Sequence, residues 1–378
     1  METFKTALTF DDVLLKPRYA GFSRSDINLS VQLTPRVRLK VPLISAPMDT
    51  VTESKLAIAL AEQGGLGIIH RNLTIEDQVR EVRAVKEKGL QVGAAVGSSP
   101  GFETRVKALV DAGVDVIVVD SAHGHSLKVI TTLSYIKDKF DVDVIAGNVA
   151  TEEGARALIH AGADALRVGM GPGAICTTRI ISGMGVPQLT AILDTAKVAQ
   201  RHNVPVIADG GIGHSGDVVK ALAAGASCVM FGRIFAACEE SPGKTVMLPP
   251  EKVPHRFQSI IDGRKEYCFK EYRGMGSVAA MKRGLEISSE DEFHGKDYKN
   301  DTLIAEGVEG LVPCNGTVQE LVAQMIGGVT SGMYYVGAKT IPELWETAEF
   351  MRITQASLSE SHPHDLFITN GGDNYQKH

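Results

Sequence analysis

The sequence predicts a (β/α)8 TIM barrel: eight parallel strands, each followed by a helix, closed on themselves. Three observations predict it: eight short apolar runs in unbroken order, helix-period segments between them, and polar residues or glycines at the ends of most runs. The runs fall at 41–45, 66–70, 91–96, 114–120, 143–148, 165–169, 204–209 and 227–231. They are continuously apolar rather than alternating, as expected of parallel strands covered on both faces. Segments such as 104–112 and 152–161 repeat apolar residues at helical spacing. Asp-Ala-Gly at 111–113, His-Ala-Gly at 160–162 and Ala-Ala-Gly at 223–225 each stand just before a strand. Glycine takes the left-handed turn that ends a helix, so these tripeptides read as helix exits. An open doubly wound sheet is the competing arrangement. Short, even strands and glycines suited to a phosphate after the last two of them favour closure.

In such barrels chemistry gathers at the carboxyl ends of the strands. Those ends carry Asp120 and Ser121, Asn148, the loop 169–179, Asp209-Gly210-Gly211, and Gly232-Arg233. A lone Asp or Asn there is as often a helix cap as a ligand contact, but several converging on one face point to a site. The barrel rhythm then stops until about residue 317, too long a gap for an ordinary connection. Within this insertion, about 241–317, segments 256–261 and 265–272 flank Asp262-Gly263 and predict a hairpin finger. The charged stretch 284–301 predicts a mobile flap that orders over ligand. Helices are expected again at 318–328 and 341–349, and the tail 366–378 is expected to be disordered. The whole chain, 1–378, reads as a single catalytic domain.

The chain is 44% hydrophobic with a formal charge of −6 and shows no long run of like charge, which argues against nucleic acid as a partner. No apolar stretch approaches the roughly 18 residues of a span, and the amino terminus does not read as a secretion leader, so no membrane partner and a cytoplasmic location are expected. The five cysteines, at 176, 228, 238, 268 and 314, are odd in number and form no CxxC. That pattern argues against a disulfide framework or a zinc site and fits a reducing compartment. Cys228 and Cys268 read as small buried hydrophobes. Cys176 differs, because it lies in a glycine-rich loop at the reactive end of the barrel. It is a candidate nucleophile, with the hydroxyls of Thr177 and Thr178 near enough to relay a proton.

Six motifs, in order, carry a resemblance: GPGAICTTR at 171–179, DSAHG at 120–124, IADGG at 207–211, EYRGMGS at 271–277, EGVEG at 306–310 and ESHPHD at 360–365. With LTFDDVLLKP near the start and SAPMDTVTE at 45–53, they resemble the IMP dehydrogenase/GMP reductase family over nearly the whole chain. The resemblance implies that Cys176 attacks C2 of a purine nucleoside monophosphate, and that hydride passes between C2 and a nicotinamide, NAD(H) or NADP(H). It implies that Asp209 binds the ribose, that Gly211, Gly232 and Tyr272 bind the phosphate, and that Met48, Met275 and Gly276 contact the base. It places Asp120, Ser121 and Asn148 against the dinucleotide and makes Thr178 with Glu306 the proton-handling pair. It further implies a potassium-like monovalent cation on carbonyls of Gly171, Gly173 and Cys176. Glu360, Ser361 and His362 of a neighbouring subunit would complete that site in a homotetramer.

The sequence departs from the family pattern in three places. Only residues 71–90 separate strands two and three, where many family members carry a regulatory nucleotide-binding (CBS) insertion. Ala174 and Arg233 replace serines common around the phosphate. Arg233 either grips that phosphate with its guanidinium or points to solvent. The family's flap Arg-Tyr pair, which hydrolyses the thioimidate, is missing from Ser289-Glu290-Asp291-Glu292-Phe293-His294-Gly295, with Tyr298, Lys296 and Lys299 the nearest equivalents. A reductase needs no such pair, so the leading expectation is a GMP reductase, converting GMP and NAD(P)H to IMP and ammonia. The alternative is an IMP dehydrogenase without the regulatory module, using Lys296 or His294 as a substitute base. A nucleotide sensor that has lost activity is a third reading, and a flavin-dependent barrel is disfavoured because it would not need the Cys176 loop.

Overall fold

The computed structural model describes residues 4–287, 292–293, 296–297, 304–366 and 368. Eight strands, β1 Leu43–Ser45, β2 Leu66–Ile69, β3 Val92–Val96, β4 Val116–Asp120, β5 Asp143–Val149, β6 Ala165–Val168, β7 Val206–Asp209 and β8 Cys228–Phe231, form a closed parallel barrel in sequence order. The predicted fold class is therefore the observed one, with strand ends displaced by at most two residues. Alternation along each strand divides the core. Val116, Val118, Ile145, Ala165, Ile207, Cys228 and Met230 fill the barrel, while Ile117, Val119, Val144, Leu166, Ala208 and Val229 face the surrounding helices. Leu33, Val37 and Leu39, on and around a short antiparallel pair ahead of β1, join the inner cluster. Arg36 N in that pair's turn donates to Asp143 Oδ2 at 2.8 Å, which puts this plug at the amino ends of the strands. The carboxyl ends are left for the site.

The outer helices include α1 Ser54–Glu62, α2 Ile75–Lys86, α3 Phe102–Asp111, α4 Leu127–Lys139, α5 Glu152–His160, α6 Gln188–Ala199, α7 Ser215–Ala223 and α8 Val318–Val336. Gly113, Gly162 and Gly225 take positive φ of 85°, 100° and 109°, as the tripeptide signature predicts. Only α2 lies between β2 and β3. The closing helix α8 begins where the barrel rhythm was expected to resume, and it packs between α7 and α1. Among the described residues no helix is long and apolar enough to cross a membrane.

The insertion after β8 differs from expectation. Residues 255–260 form a 3-10 helix rather than a strand, so Asp262-Gly263 does not join two paired strands. It makes a local turn in which the amides of both residues donate to Tyr267 Oη, at 2.9 and 3.2 Å. The finger is instead a three-stranded antiparallel sheet of β9 Thr245–Leu248, β10 Tyr267–Arg273 and β11 Glu309–Pro313, with β10 central. A helix over Val278–Glu286, capped by the Ser277 hydroxyl, takes up the start of the expected flap. Farther on, Glu292–Phe293 and Lys296–Asp297 pair as two short strands. Ser289, Glu290, Asp291, His294, Gly295, Tyr298 and Lys299, and the tail at 367 and 369–378, lie outside the described residues.

The cysteine reading is also corrected. Cys228 is buried in the barrel as expected, but Cys268 and Cys314 form a disulfide across β10 and the end of β11. Their sequence separation of 46 gives no spacing signal, because the sheet register alone brings them together. Breaking this link by Cys314→Ser is expected to cost about 2–4 kcal/mol. The check is the urea midpoint for protection of the finger amides; an unchanged midpoint would show that strand pairing suffices.

Candidate active site

Strand parity builds the floor of the site. Following Val116 and Val118, Ala165, and Ile207 along the inward positions of β4, β6 and β7 leads two residues on to Asp120, Arg167 and Asp209. A charged layer thus caps the apolar barrel. Arg167 Nε donates to Asp209 Oδ2 at 2.9 Å, and its NH1 bonds Asp120 Oδ1. Asn148 Nδ2 donates to the same Asp209 oxygen at 2.8 Å and to Gly169 O at 2.8 Å. Burial alone would lower the Arg167 guanidinium, but the carboxylates of Asp209 and Asp120 outweigh it and hold it above its ordinary value. The Arg167 and Asn148 contacts to Asp209 both fall on its Oδ2. Sequence reasoning passed over Arg167, although a charge inside an apolar strand at the inward parity was the available signal.

The loop after β6 lies over this floor. Gly169 has φ +150°, and a Cβ there would stand 2.1 Å from Asp209 O, so no side chain fits. The chain then turns through Gly171 and Gly173, where Gly173 O accepts from Cys176 N at 3.0 Å. Cys176 Sγ donates to Thr178 Oγ1 at 3.2 Å, and Thr178 Oγ1 donates to Glu306 Oε2 at 3.1 Å. A thiol, a hydroxyl and a carboxyl group therefore form one hydrogen-bonded run, in which a proton leaving sulfur has a path to oxygen. Thr177 contributes its backbone, donating to Glu306 O at 3.1 Å, and not the relay.

These groups open on one cleft of about 400 Å³. Met48, Met275 and Gly276 line it beside Cys176, and Asp120, Ser121 and Asn148 line it as well. Gly211, Gly232, Arg233 and Tyr272 meet in the same cleft. A Cβ on Gly232 would come 2.7 Å from Tyr272 Oη, so the phenol rests directly on the end of β8. Burial pushes that phenol far up, which keeps it a hydrogen-bond donor at every physiological pH. Arg233 is mostly buried, its guanidinium is lowered chiefly by burial, and among the described residues it makes no hydrogen bond or ion pair. Of the two alternatives for Arg233, its place in the cleft lining favours the one that faces a ligand. Glu360, Ser361 and His362 are exposed at the end of the helix Gln355–Glu360 and do not line the cleft of their own chain.

A second ion pair, also missed in the sequence, holds the roof. Arg273, at the end of β10, meets Asp49 beyond β1 through Nε at 3.0 Å and NH2 at 2.6 Å. Burial alone would raise Asp49, but the Arg273 hydrogen bonds, the His70 ring and the Asn72 amide bring it below its ordinary 3.8. A depressed folded value means stability fully present above about pH 4 and lost as the pH falls through the folded value. Acidification from pH 5 to pH 3 should therefore lower the protection factors of the amides at 273–277, each observed rate being referred to its intrinsic rate at that pH; protection factors equal at both values would contradict this sign.

A (β/α)8 barrel whose carboxyl face gathers a cysteine, a hydroxyl, a carboxyl group and a buried arginine in one cleft has the architecture of a barrel enzyme's active site. Residues 7–364 match the family model described as the IMP dehydrogenase / GMP reductase domain, and the chain belongs to that family. It is thus a nicotinamide-dependent oxidoreductase. An inosine-5'-monophosphate dehydrogenase of Cryptosporidium parvum is 43% identical over 413 residues, covering 98% of each chain. Those of Aquifex aeolicus and Rhodopirellula baltica are 40% identical over 500 and 496 residues, covering 98% and 97% of this chain and 98% and 88% of the relatives.

Proposed function

We propose that this chain is an IMP dehydrogenase, converting IMP, NAD+ and water to XMP and NADH. The observation that carries the chemistry is the run Cys176–Thr178–Glu306 at 3.2 and 3.1 Å. The direction is supported by the relatives, which bear the dehydrogenase name. The reductase reading that the sequence led with is not favoured: it rested on the stretch 289–295, most of which lies outside the described residues.

The sulfur of Cys176 adds to C2 of the purine, its proton passing through Thr178 to Glu306. When bound, the nicotinamide supplies the hydride acceptor for C2. Asn148 fits such a group, because its buried Oδ1 has no hydrogen-bond partner among the described residues and can accept from a carboxamide N–H. The covalent thioimidate is then opened by water, the C2–S bond breaks, and the thiol is restored. Glu306, its first proton released to solvent, takes the water proton through Thr178 and returns it to the departing sulfur. Asp209 holds the ribose, and Arg233, Tyr272, Gly211 and Gly232 hold the phosphate, Arg233 supplying the charge. Met48, Met275 and Gly276 enclose the base, while Asp120 and Ser121 border the dinucleotide.

The same proposal takes residues 1–378 as one catalytic unit and assembles it as a homotetramer. Exposed Ile180, Ile181 and Met184, just beyond Thr178, support association at this edge. Glu360, Ser361 and His362 of a neighbour would then reach the carbonyls of Gly171, Gly173 and Cys176 around a monovalent cation such as potassium. Purified protein is expected to form NADH from IMP and NAD+, followed by nicotinamide absorbance, and to leave GMP with NADPH unchanged. Turnover confined to the GMP pair would reverse the assignment.

A further inference from the structure

Asp49 and Arg273 do not line the cleft, yet they make a bidentate ion pair with the carboxylate side chain only 3% exposed and the guanidinium 23%. Asp49 is held from a second side by Asn72 Nδ2 at 2.8 Å, and its own amide lies 3.4 Å from Met275 Sδ. Arg273 N donates to Thr50 Oγ1 at 3.2 Å. The strap 273–277 is therefore fastened to the loop beyond β1. Its other edge carries the reactive segments. Gly274 N donates to Val308 O at 3.0 Å, and Gly276 O accepts from Glu306 N at 3.1 Å. Residues 306–308 in turn bond the nucleophile loop, Thr177 N to Glu306 O at 3.1 Å and Val308 N to Ile175 O at 3.0 Å. Four segments, 48–50, 273–277, 306–308 and 175–177, are layered in that order.

We propose that the Asp49–Arg273 pair is a positioning device that fixes, through the backbone of 273–277, where the Glu306 carboxyl group stands against Thr178 and Cys176. The inference rests on the reading that Cys176 is the nucleophile. A buried ion pair is poor evidence of stabilisation, since apolar residues of similar volume often do as well. What a two-pronged guanidinium–carboxylate contact adds is direction, because it fixes the plane and the distance together. Lysine at 273 keeps the charge and loses the fork.

The test is a double-mutant cycle between Arg273→Lys and Glu306→Gln, with Asp49→Asn as a second probe of the same contact. Two readouts are taken: steady-state kcat and nucleotide KM, and the pH dependence of Cys176 alkylation by iodoacetamide, followed by intact mass without any nucleotide. Arg273→Lys is expected to lower kcat by about tenfold or more with nucleotide KM changed less than about threefold, and the double variant to be no slower than Glu306→Gln alone. The alkylation profile of Arg273→Lys, and that of Asp49→Asn, should move in the direction set by Glu306→Gln. Effects on kcat that multiply in the double variant, or a profile left at wild type by both Arg273→Lys and Asp49→Asn while Glu306→Gln moves it, would overturn the proposal. Failure of the underlying reading looks different, because Cys176→Ala would then stay active whatever the cycle gives.

Discussion

Cys176→Ala is expected to lower turnover by at least about a thousandfold while nucleotide affinity by calorimetry stays within about threefold, the pattern of a group needed in the transition state and not for binding. The reason is positional. Every contact assigned to holding the nucleotide, at Asp209, Arg233, Tyr272 and the glycines, arises from other strand ends or from the finger, so removing one sulfur leaves them in place. Gly173 O still accepts from the amide at 176, which keeps the loop turn. What is lost is the only sulfur in the relay to Thr178 and Glu306, and with it the covalent route. Wild-type enzyme quenched during turnover should in addition carry a nucleotide adduct on the peptide containing Cys176. A variant that turns over at wild-type rate, or a wild-type steady state with no such adduct, would end the covalent mechanism.

The barrel was legible in the sequence because its strands are buried on both faces. Runs such as 114–120 and 227–231 have no polar face, and Gly113, Gly162 and Gly225 mark helix exits through a backbone conformation other residues resist. The candidate site was legible for a related reason: a barrel strand delivers its last inward residue to one face, so polar strand ends collect there. The finger was not legible. Asp262-Gly263 carries a good local turn signal, yet β10 finds its partners at 245–248 and 309–313, and local turn chemistry does not report pairings that distant. The disulfide failed for the same cause, since Cys268 and Cys314 become neighbours only through that register. The Asp49–Arg273 pair was missed for that cause too, its partners standing 224 residues apart, whereas Arg167 carried a signal of its own, a charge at an inward position of an apolar strand.

Arg167→Leu is expected to be the most damaging substitution that touches neither the nucleophile nor its relay. The side chains of Arg167, Asp120 and Asp209 are 10%, 7% and 15% exposed, so the guanidinium is a countercharge for two buried carboxylates, of which Asp120 also meets Arg71 Nε at 3.5 Å. Removing one member of such a group leaves charge uncompensated away from water, a cost of about 3–5 kcal/mol. Urea denaturation at neutral pH should show it. A deficit below about 1 kcal/mol would mean that water, or Arg71 on the Asp120 side, replaces the guanidinium and that the charged layer is not what holds the barrel mouth. Arg167→Lys separates charge from geometry: a single ammonium cannot satisfy Asp120 and Asp209 together as the fork does. It should recover most of the stability while nucleotide KM remains raised, because Asp209 is the group whose position the fork sets.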